Sequence, residues 1–98
     1  MQLLSSLFGP IRRQSDPDQE MVASLILEGA QHLATEGKWG VPIDIRDLRA
    51  LQRETGWSDK EMIRRFSRAL TTIKRQADYK TYVCAIVLTN GLRTTWSR

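Results

Sequence analysis

The stretch that decides the fold covers residues 57–76 and reads WSDKEMIRRFSRALTTIKRQ. Ser58 and Glu61 have the spacing of a capping box, and Trp57 with Met62 has the spacing of a hydrophobic staple. Both motifs mark a helix start, so we expect a helix that begins at Ser58 and runs to the end of this stretch. Its apolar residues recur at helical intervals, which predicts one buried face. The predicted buried positions are Met62, Ile63, Phe66, Ala69, Leu70 and Ile73.

The opposite face of this helix is basic. At about 100° per residue, four cations fall within an arc of about 80°. They are Lys60, Arg64, Arg68 and Arg75, with Arg65 just beside them. No acidic residue lies four positions from any of the four, and a guanidinium can donate two parallel hydrogen bonds to a phosphate. The pattern favours a face that binds a polyanion, although a solvated basic surface would look the same.

Two further helices are predicted upstream. Asp16 can cap a helix over about 17–36, and Gln19 can reach back to complete the cap. A short extended connector at 38–43 then leads to a second helix over about 45–55. A helix, a short connector, a helix, a tight turn and a basic helix therefore follow one another along the chain.

The C-terminal segment allows two interpretations. Residues 79–88 are rich in aromatic and β-branched side chains, which favour a strand, and the following Asn90-Gly91 pair is typical of a tight hairpin turn. Residues 93–96 would then be the return strand. The competing prediction is a fourth helix from Asp78 to Thr89. We expect a mainly α fold with a C-terminal β-hairpin, with an all-α bundle of three to four helices as the alternative.

The N-terminal residues form a separate segment. Residues 1–16 are predicted to be an amphipathic arm, and residues 17–98 a single helical domain with a C-terminal hairpin. Gly9-Pro10 interrupts the helical spacing of the arm. The apolar side chains predicted to contact the core, a second copy or a partner are Leu3, Leu4, Leu7 and Phe8.

Charge is distributed unevenly along the chain. Residues 1–40 hold three basic and five acidic side chains, whereas residues 41–98 hold twelve basic and six acidic ones. The whole chain has a formal net charge of +4. This asymmetry indicates an anionic partner for the C-terminal part.

Catalytic and metal-binding patterns are missing from the sequence. There is one histidine, His32, and one cysteine, Cys84, so neither a zinc cage nor a disulfide can form within the chain. No Gly-rich phosphate loop follows a predicted strand. The longest apolar run, residues 82–88, is too short to cross a bilayer, and the N-terminus lacks the early positive charges of a secretory signal. We expect a cytoplasmic binding protein without enzyme activity, cofactor, metal or membrane span.

Two segments resemble winged helix-turn-helix domains. Residues 45–66 read IRDLRALQRETGWSDKEMIRRF and resemble the helix–turn–helix core of that family. Residues 88–92, LTNGL, look like the Leu-Thr-x-x-Gly segment near the end of many such domains. Gln52 stands where the family has a small residue, and Arg65 where it has an apolar one.

This resemblance implies a regulatory DNA-binding domain. The third helix would enter the major groove with Lys60, Arg64 and Arg68 facing DNA. Ser58 and the amides of the first turn would bind a phosphate, and Arg93 would contact the backbone from the wing. A two-fold homodimer that binds a split site is a further implication.

A protein–protein interaction module is the second functional class that fits the sequence. An adaptor or inhibitor of a larger complex could place the basic face against an acidic protein surface and anchor the apolar arm in a groove. The two classes differ in their response to salt, because contacts with nucleic acid weaken steeply as salt rises. An interface built on the apolar arm would be less sensitive.

Overall fold

Four α-helices make up residues 16–36 and 45–97, the part of the chain that a computed structural model describes. In chain order they are α1 (Pro17–Glu36), α2 (Ile45–Thr55), α3 (Asp59–Gln76) and α4 (Tyr79–Trp96). The three helices predicted upstream of residue 77 are confirmed, and so is the all-α alternative. The predicted C-terminal β-hairpin is wrong, because its residues belong to α4. The N-terminal arm and the extended connector lie outside the described residues.

The core lies between α1, α3 and α4, and α2 closes one end. Phe66 is fully buried and meets the ring of Trp96 edge-on, with 5.1 Å between the ring centroids. Leu48 and Leu51 bring α2 onto the same cluster. The other buried apolar side chains of this core are Val22, Ala23, Ile26, Ala30, Met62, Ala69, Ile73, Ala85 and Leu92.

Side-chain contacts fix the directions of the three long helices. Gln19, near the start of α1, reaches Arg65 in α3, and Leu27 further along α1 lines the same groove as Gln76 at the end of α3. The two helices therefore run in the same direction. A two-residue connection joins α3 to α4, and Trp96 at the end of α4 meets Phe66 near the start of α3, so α4 is antiparallel to α3.

The helical state of α4 has a local and a tertiary cause. Asp78 caps its N-terminus by accepting a hydrogen bond from the Thr81 amide at 2.8 Å. The buried residues then recur every three or four positions, which is the helical period: Thr81, Ala85, Thr89, Leu92 and Trp96. A two-stranded hairpin has only marginal stability on its own. This helix forms its backbone hydrogen bonds internally and buries one face against α1 and α3.

Asn90 and Gly91 continue α4 instead of turning the chain. Hairpin turns with Asn-Gly require positive φ at both central residues. Among the described residues only Gly56 has positive φ, so no such turn forms at Gly91. The helix runs through both residues to Trp96.

Thr89 is a polar exception within the core. Its side chain is fully buried, and its hydroxyl oxygen has no hydrogen-bond partner among the described residues. A buried hydroxyl left in this state costs about 1–3 kcal/mol relative to a bonded one.

Candidate nucleic-acid interface

The turn between α2 and α3 sets the direction of the basic helix. Gly56 has φ +76°, the left-handed conformation that commonly ends a helix, and it follows α2 directly. Ser58 then caps α3, and its hydroxyl accepts a hydrogen bond from the Glu61 amide at 3.0 Å. This confirms one half of the predicted capping box. The Glu61 carboxylate does not return to the cap but accepts a hydrogen bond from Arg65 Nε at 2.8 Å.

Four predicted cations share one exposed face of α3, which we call the α3 basic face: Lys60, Arg64, Arg68 and Arg75. Between the first and the last the helix rises by about 22 Å. The Arg64 side chain is 70% exposed and lies 3.6 Å from Glu61 at the edge of this face. The other three make no hydrogen bond or ion pair with any described residue. The charge of this face is therefore available to an external anion.

Hydroxyl groups lie among these cations. Ser67 and Thr71 are exposed on the same side of α3, and Lys74 adds a charge beside them. Asp59, one of the two acidic residues of α3, accepts a hydrogen bond from Gln52 at 2.8 Å. Cations and neutral donors therefore dominate the exposed side of α3 from its first turn to its last.

Arg65 has a different environment from the α3 basic face. Its side chain is 14% exposed, and its guanidinium binds Asp16 and Glu61, each at 2.8 Å. The same group also donates to Gln19 Oε1 at 3.3 Å and lies 4.1 Å from the ring centroid of Trp57. The sequence placed Arg65 among the nucleic-acid contacts, but its Nε and Nη1 groups already bind Glu61, Asp16 and Gln19 within the fold.

The contact between Asp16 and Arg65 shifts the pKa of both groups. The hydrogen bond from Arg65 lowers the pKa of Asp16, and the bond from the Gln19 amide lowers it further. Burial acts to lower the pKa of Arg65, but hydrogen bonds to Asp16 and Glu61 outweigh it and the pKa is raised overall. Asp16 and Arg65 therefore both remain charged at neutral pH. Asp16 also caps α1, as predicted, by accepting from the Gln19 amide at 3.2 Å.

Gln52, like Arg65, is a polar side chain that connects several elements by hydrogen bonds, and the sequence did not identify it. Its amide nitrogen donates to the Trp57 carbonyl at 3.1 Å as well as to Asp59. Its amide oxygen accepts from the indole of Trp96 at 3.0 Å and from Arg49 at 3.4 Å. One side chain thus links α2, the turn, α3 and α4. The only sequence signal was its departure from the helix–turn–helix pattern.

The other predicted contact residues lie elsewhere. Arg93 was placed on a wing, but residues 93–96 are helical, and Arg93 is exposed on α4 beside a shallow cavity of about 490 Å³ that Ile63 also lines. The arm residues Leu3, Leu4, Leu7 and Phe8 lie outside the described part of the chain.

A groove borders the α3 basic face on the side of α1. Its volume is about 420 Å³, and α1 lines it with polar, acidic and apolar side chains opposite two polar side chains of α3. It is lined by Asp16, Gln19, Glu20, Ala23, Ser24, Leu27, Thr72 and Gln76.

Within 16–36 and 45–97 no three histidine, cysteine or acidic side chains are grouped so that they could hold a metal ion. No described helix combines the length and the apolar content needed to cross a bilayer. No family model, curated protein or solved structure matches this chain.

Proposed function

We propose that this chain binds duplex nucleic acid, DNA in the first instance, through the α3 basic face. The observation that supports the proposal is the exposure of four cations on one side of a helix, three of them without any partner among the described residues. Such a row can meet successive phosphates, since a nucleic-acid backbone presents negative charge at regular intervals. Ser58 contributes at one end, because its hydroxyl accepts from Glu61 and keeps its own hydrogen for a phosphate oxygen.

Phosphate contacts dominate this mode of binding. Arg and Lys supply charge, and Ser67 and Thr71 supply neutral donors, whereas the α3 basic face has no Asn or Gln to pair with adenine. Contacts with phosphates fix the position of a protein on the nucleic-acid duplex but do not distinguish base sequences. We therefore expect affinities for unrelated duplexes to lie within about ten-fold of one another.

A double-stranded target is favoured over a single strand. Single-strand binding uses exposed aromatic rings on which bases stack. Phe66 of α3 is buried, and the half-buried ring of Trp57 is covered by the Arg65 guanidinium. Among the described residues, the basic face of α3 thus has charge without a stacking surface.

A binding titration at several salt concentrations tests the proposal. With four phosphate contacts, the logarithm of the affinity should fall by about 3.6 per log unit of salt, or about 150-fold between 50 and 200 mM. Arg64→Glu combined with Arg68→Glu should abolish binding to a labelled duplex of about 20 base pairs while the helical circular dichroism spectrum is kept.

The control variant has the same change in net charge on helices other than α3. Arg53→Glu with Lys80→Glu alters two exposed cations on α2 and α4, so it should retain most of the affinity. Equal affinity of the Arg64/Arg68 double variant and the wild-type chain would contradict the proposal.

An acidic protein segment is the second candidate partner. The groove between α1 and α3 favours it, because Ala23 and Leu27 offer apolar contacts beside the cations of α3. An amphipathic acidic helix could place its apolar side in the groove and its carboxylates on Arg68 and Arg75. Binding to such a peptide would be weakened by Ser24→Glu, which adds a carboxylate at an exposed position of the groove, whereas binding to a duplex would change little.

A further inference from the structure

Tyr79, the first residue of α4, has an unusually open position for an aromatic ring. It is 81% exposed, whereas Met21, the next most exposed large apolar residue among those described, is 50% exposed. Its ring has no aromatic or cation contact, and its hydroxyl no hydrogen bond, with any described residue. Single exposed apolar side chains are common on protein surfaces, so the surroundings of this ring decide whether it has a role.

The side of α4 that carries Tyr79 lies along α3. Asn90 and Arg93 line the shallow cavity of about 490 Å³ together with Ile63 of α3, so this side of α4 borders α3. Tyr79 lies eleven positions before Asn90, close to three whole helical turns, and therefore on the same side of the helix. The ring is thus at the other end of the border between the two helices, about 16 Å from Asn90 along the helix axis.

Two cations of α3 lie at this end of the border. Ile63 and Lys74 are also eleven positions apart, so Lys74 lies on the side of α3 that borders α4. Because α3 and α4 are antiparallel and joined by two residues, the end of α3 lies beside the start of α4. Arg75, the last cation of the α3 basic face, follows Lys74. Neither cation makes a hydrogen bond or ion pair with a described residue.

The nearest carboxylate does not separate the ring from these cations. Asp78 lies about 100° round the helix from Tyr79, toward the core, and accepts a hydrogen bond from the Thr81 amide at 2.8 Å. Lys80 lies about 100° in the other direction, away from α3. Helix α4 contains no acidic residue, and both acids of α3 are in its first turn, at the opposite end. The surroundings of the ring are therefore open to a polyanion.

We infer that Tyr79 is a stacking surface for an unpaired base, so that the preferred partner is a duplex with a single-stranded overhang. This inference rests on the proposed function, because the α3 basic face would hold the duplex. An aromatic ring stacks on any of the four bases, which gives affinity without sequence preference. Lys74 and Arg75 would bind the phosphates at the point where the overhang leaves the duplex.

A junction between duplex and single strand fits the surface better than a continuous single strand. The cations of the α3 basic face extend over about 22 Å, the length of about six base pairs, and this row contains no exposed ring. Tyr79 lies beyond its last cation. A base inside a duplex is covered on both faces by its neighbours, whereas an unpaired base beside the duplex end offers a face to the ring.

Three forms of one short duplex test the inference in a fluorescence anisotropy titration of the full chain. A duplex of about ten base pairs is little longer than the row of cations, so bound molecules lie near its ends. It is prepared blunt, with an overhang of about three nucleotides, and with an overhang of the same length that has abasic sugars. The abasic overhang adds the same phosphates without bases. The wild-type chain should bind the base-containing overhang at least about five-fold more tightly than the abasic one, for the 3′ or the 5′ polarity.

Variants of Tyr79 assign this preference to the ring. Tyr79→Ala should remove it and leave the affinity for the blunt duplex within about two-fold of the wild-type value. Tyr79→Phe should keep it, because stacking uses the ring and not the hydroxyl. Met21→Ala is the matched control, since it removes an exposed large apolar side chain from α1 and should keep the preference. Because Tyr79 is exposed, its variants should keep the thermal unfolding temperature of the wild-type chain.

The outcomes separate this inference from the proposed function. Equal affinity of the wild-type chain for base-containing and abasic overhangs of both polarities overturns the inference alone, provided that the blunt duplex binds with the expected salt dependence. A preference that persists in Tyr79→Ala also overturns it. If none of the three duplexes binds, the proposed function fails and the inference fails with it.

Discussion

Replacing Arg65 by alanine tests the distinction between structural and available arginines in α3. Arg65 binds Asp16 and Glu61 at 2.8 Å and covers the ring of Trp57, whereas Arg68, three residues later, is exposed and has no partner among the described residues. We therefore expect that replacing Arg65 lowers stability but not duplex binding, and that replacing Arg68 lowers duplex binding but not stability.

The magnitude follows from the contacts of Arg65. Hydrogen bonds to charged groups contribute about 1.5–3 kcal/mol each, and a cation over an aromatic ring adds about 0.5–1 kcal/mol. The side chains of Asp16 and Glu61 are 44% and 26% exposed, so water replaces part of what they lose. We expect Arg65→Ala to lower the free energy of unfolding by about 2–3 kcal/mol after that discount. For a domain of this size the unfolding temperature should fall by about 10–20 °C.

Urea denaturation followed by circular dichroism measures the change, with Arg68→Ala as the control. The Arg68 variant should stay within about 0.5 kcal/mol of the wild-type chain, but should reduce the salt slope of duplex binding by about 0.9. Arg65→Ala should leave that slope unchanged at temperatures where it is folded. If the two variants lose equal stability, the structural role of Arg65 is refuted.

Two further predictions concern the core and the pH response. Thr89→Val removes a buried hydroxyl without a partner and should raise the free energy of unfolding by about 1 kcal/mol in urea denaturation, whereas Thr71→Val at an exposed position should change it little. The pKa of Asp16 is lowered in the folded state, so its carboxylate stabilises the fold above the unfolded pKa of about 3.9, and this contribution is lost as pH falls through the folded value. The difference in unfolding free energy between wild type and Asp16→Asn should therefore shrink as the solution is acidified below about pH 4, and a difference that is constant with pH would contradict the pairing with Arg65.

Both departures from the helix–turn–helix pattern have a structural explanation. The family has a small residue at the position of Gln52 and an apolar one at that of Arg65. Here Gln52 links Trp57, Asp59 and Trp96 by hydrogen bonds, and Arg65 links α1 to α3. In this chain both positions therefore hold polar side chains that connect separate elements. Sequence could have suggested only the Glu61–Arg65 pair within α3, because these two residues have the spacing of a helical ion pair.

The C-terminal segment shows why local propensity was misleading. Valine, isoleucine and threonine favour strands in many contexts, and Asn-Gly favours a hairpin. Strand propensity mainly reflects packing on neighbouring strands, and the described part of this chain contains none. Buried threonines at 81 and 89 also interrupted the apolar pattern that would have identified a helix.

Sequence by itself determined the first three helices, the N-terminal caps of α1 and α3 and the α3 basic face, because caps and helical periodicity depend on residues within a few positions of one another. For residues 79–96, where local signals conflicted, and for the separation of Arg65 from its basic neighbours, tertiary structure decided the outcome. Both depend on groups distant in the chain: Phe66 packs against Trp96, and Asp16 binds Arg65 across 49 positions. Local patterns carry no information about which distant groups will meet, so burial and pairing at these sites follow from the packing of α1, α3 and α4.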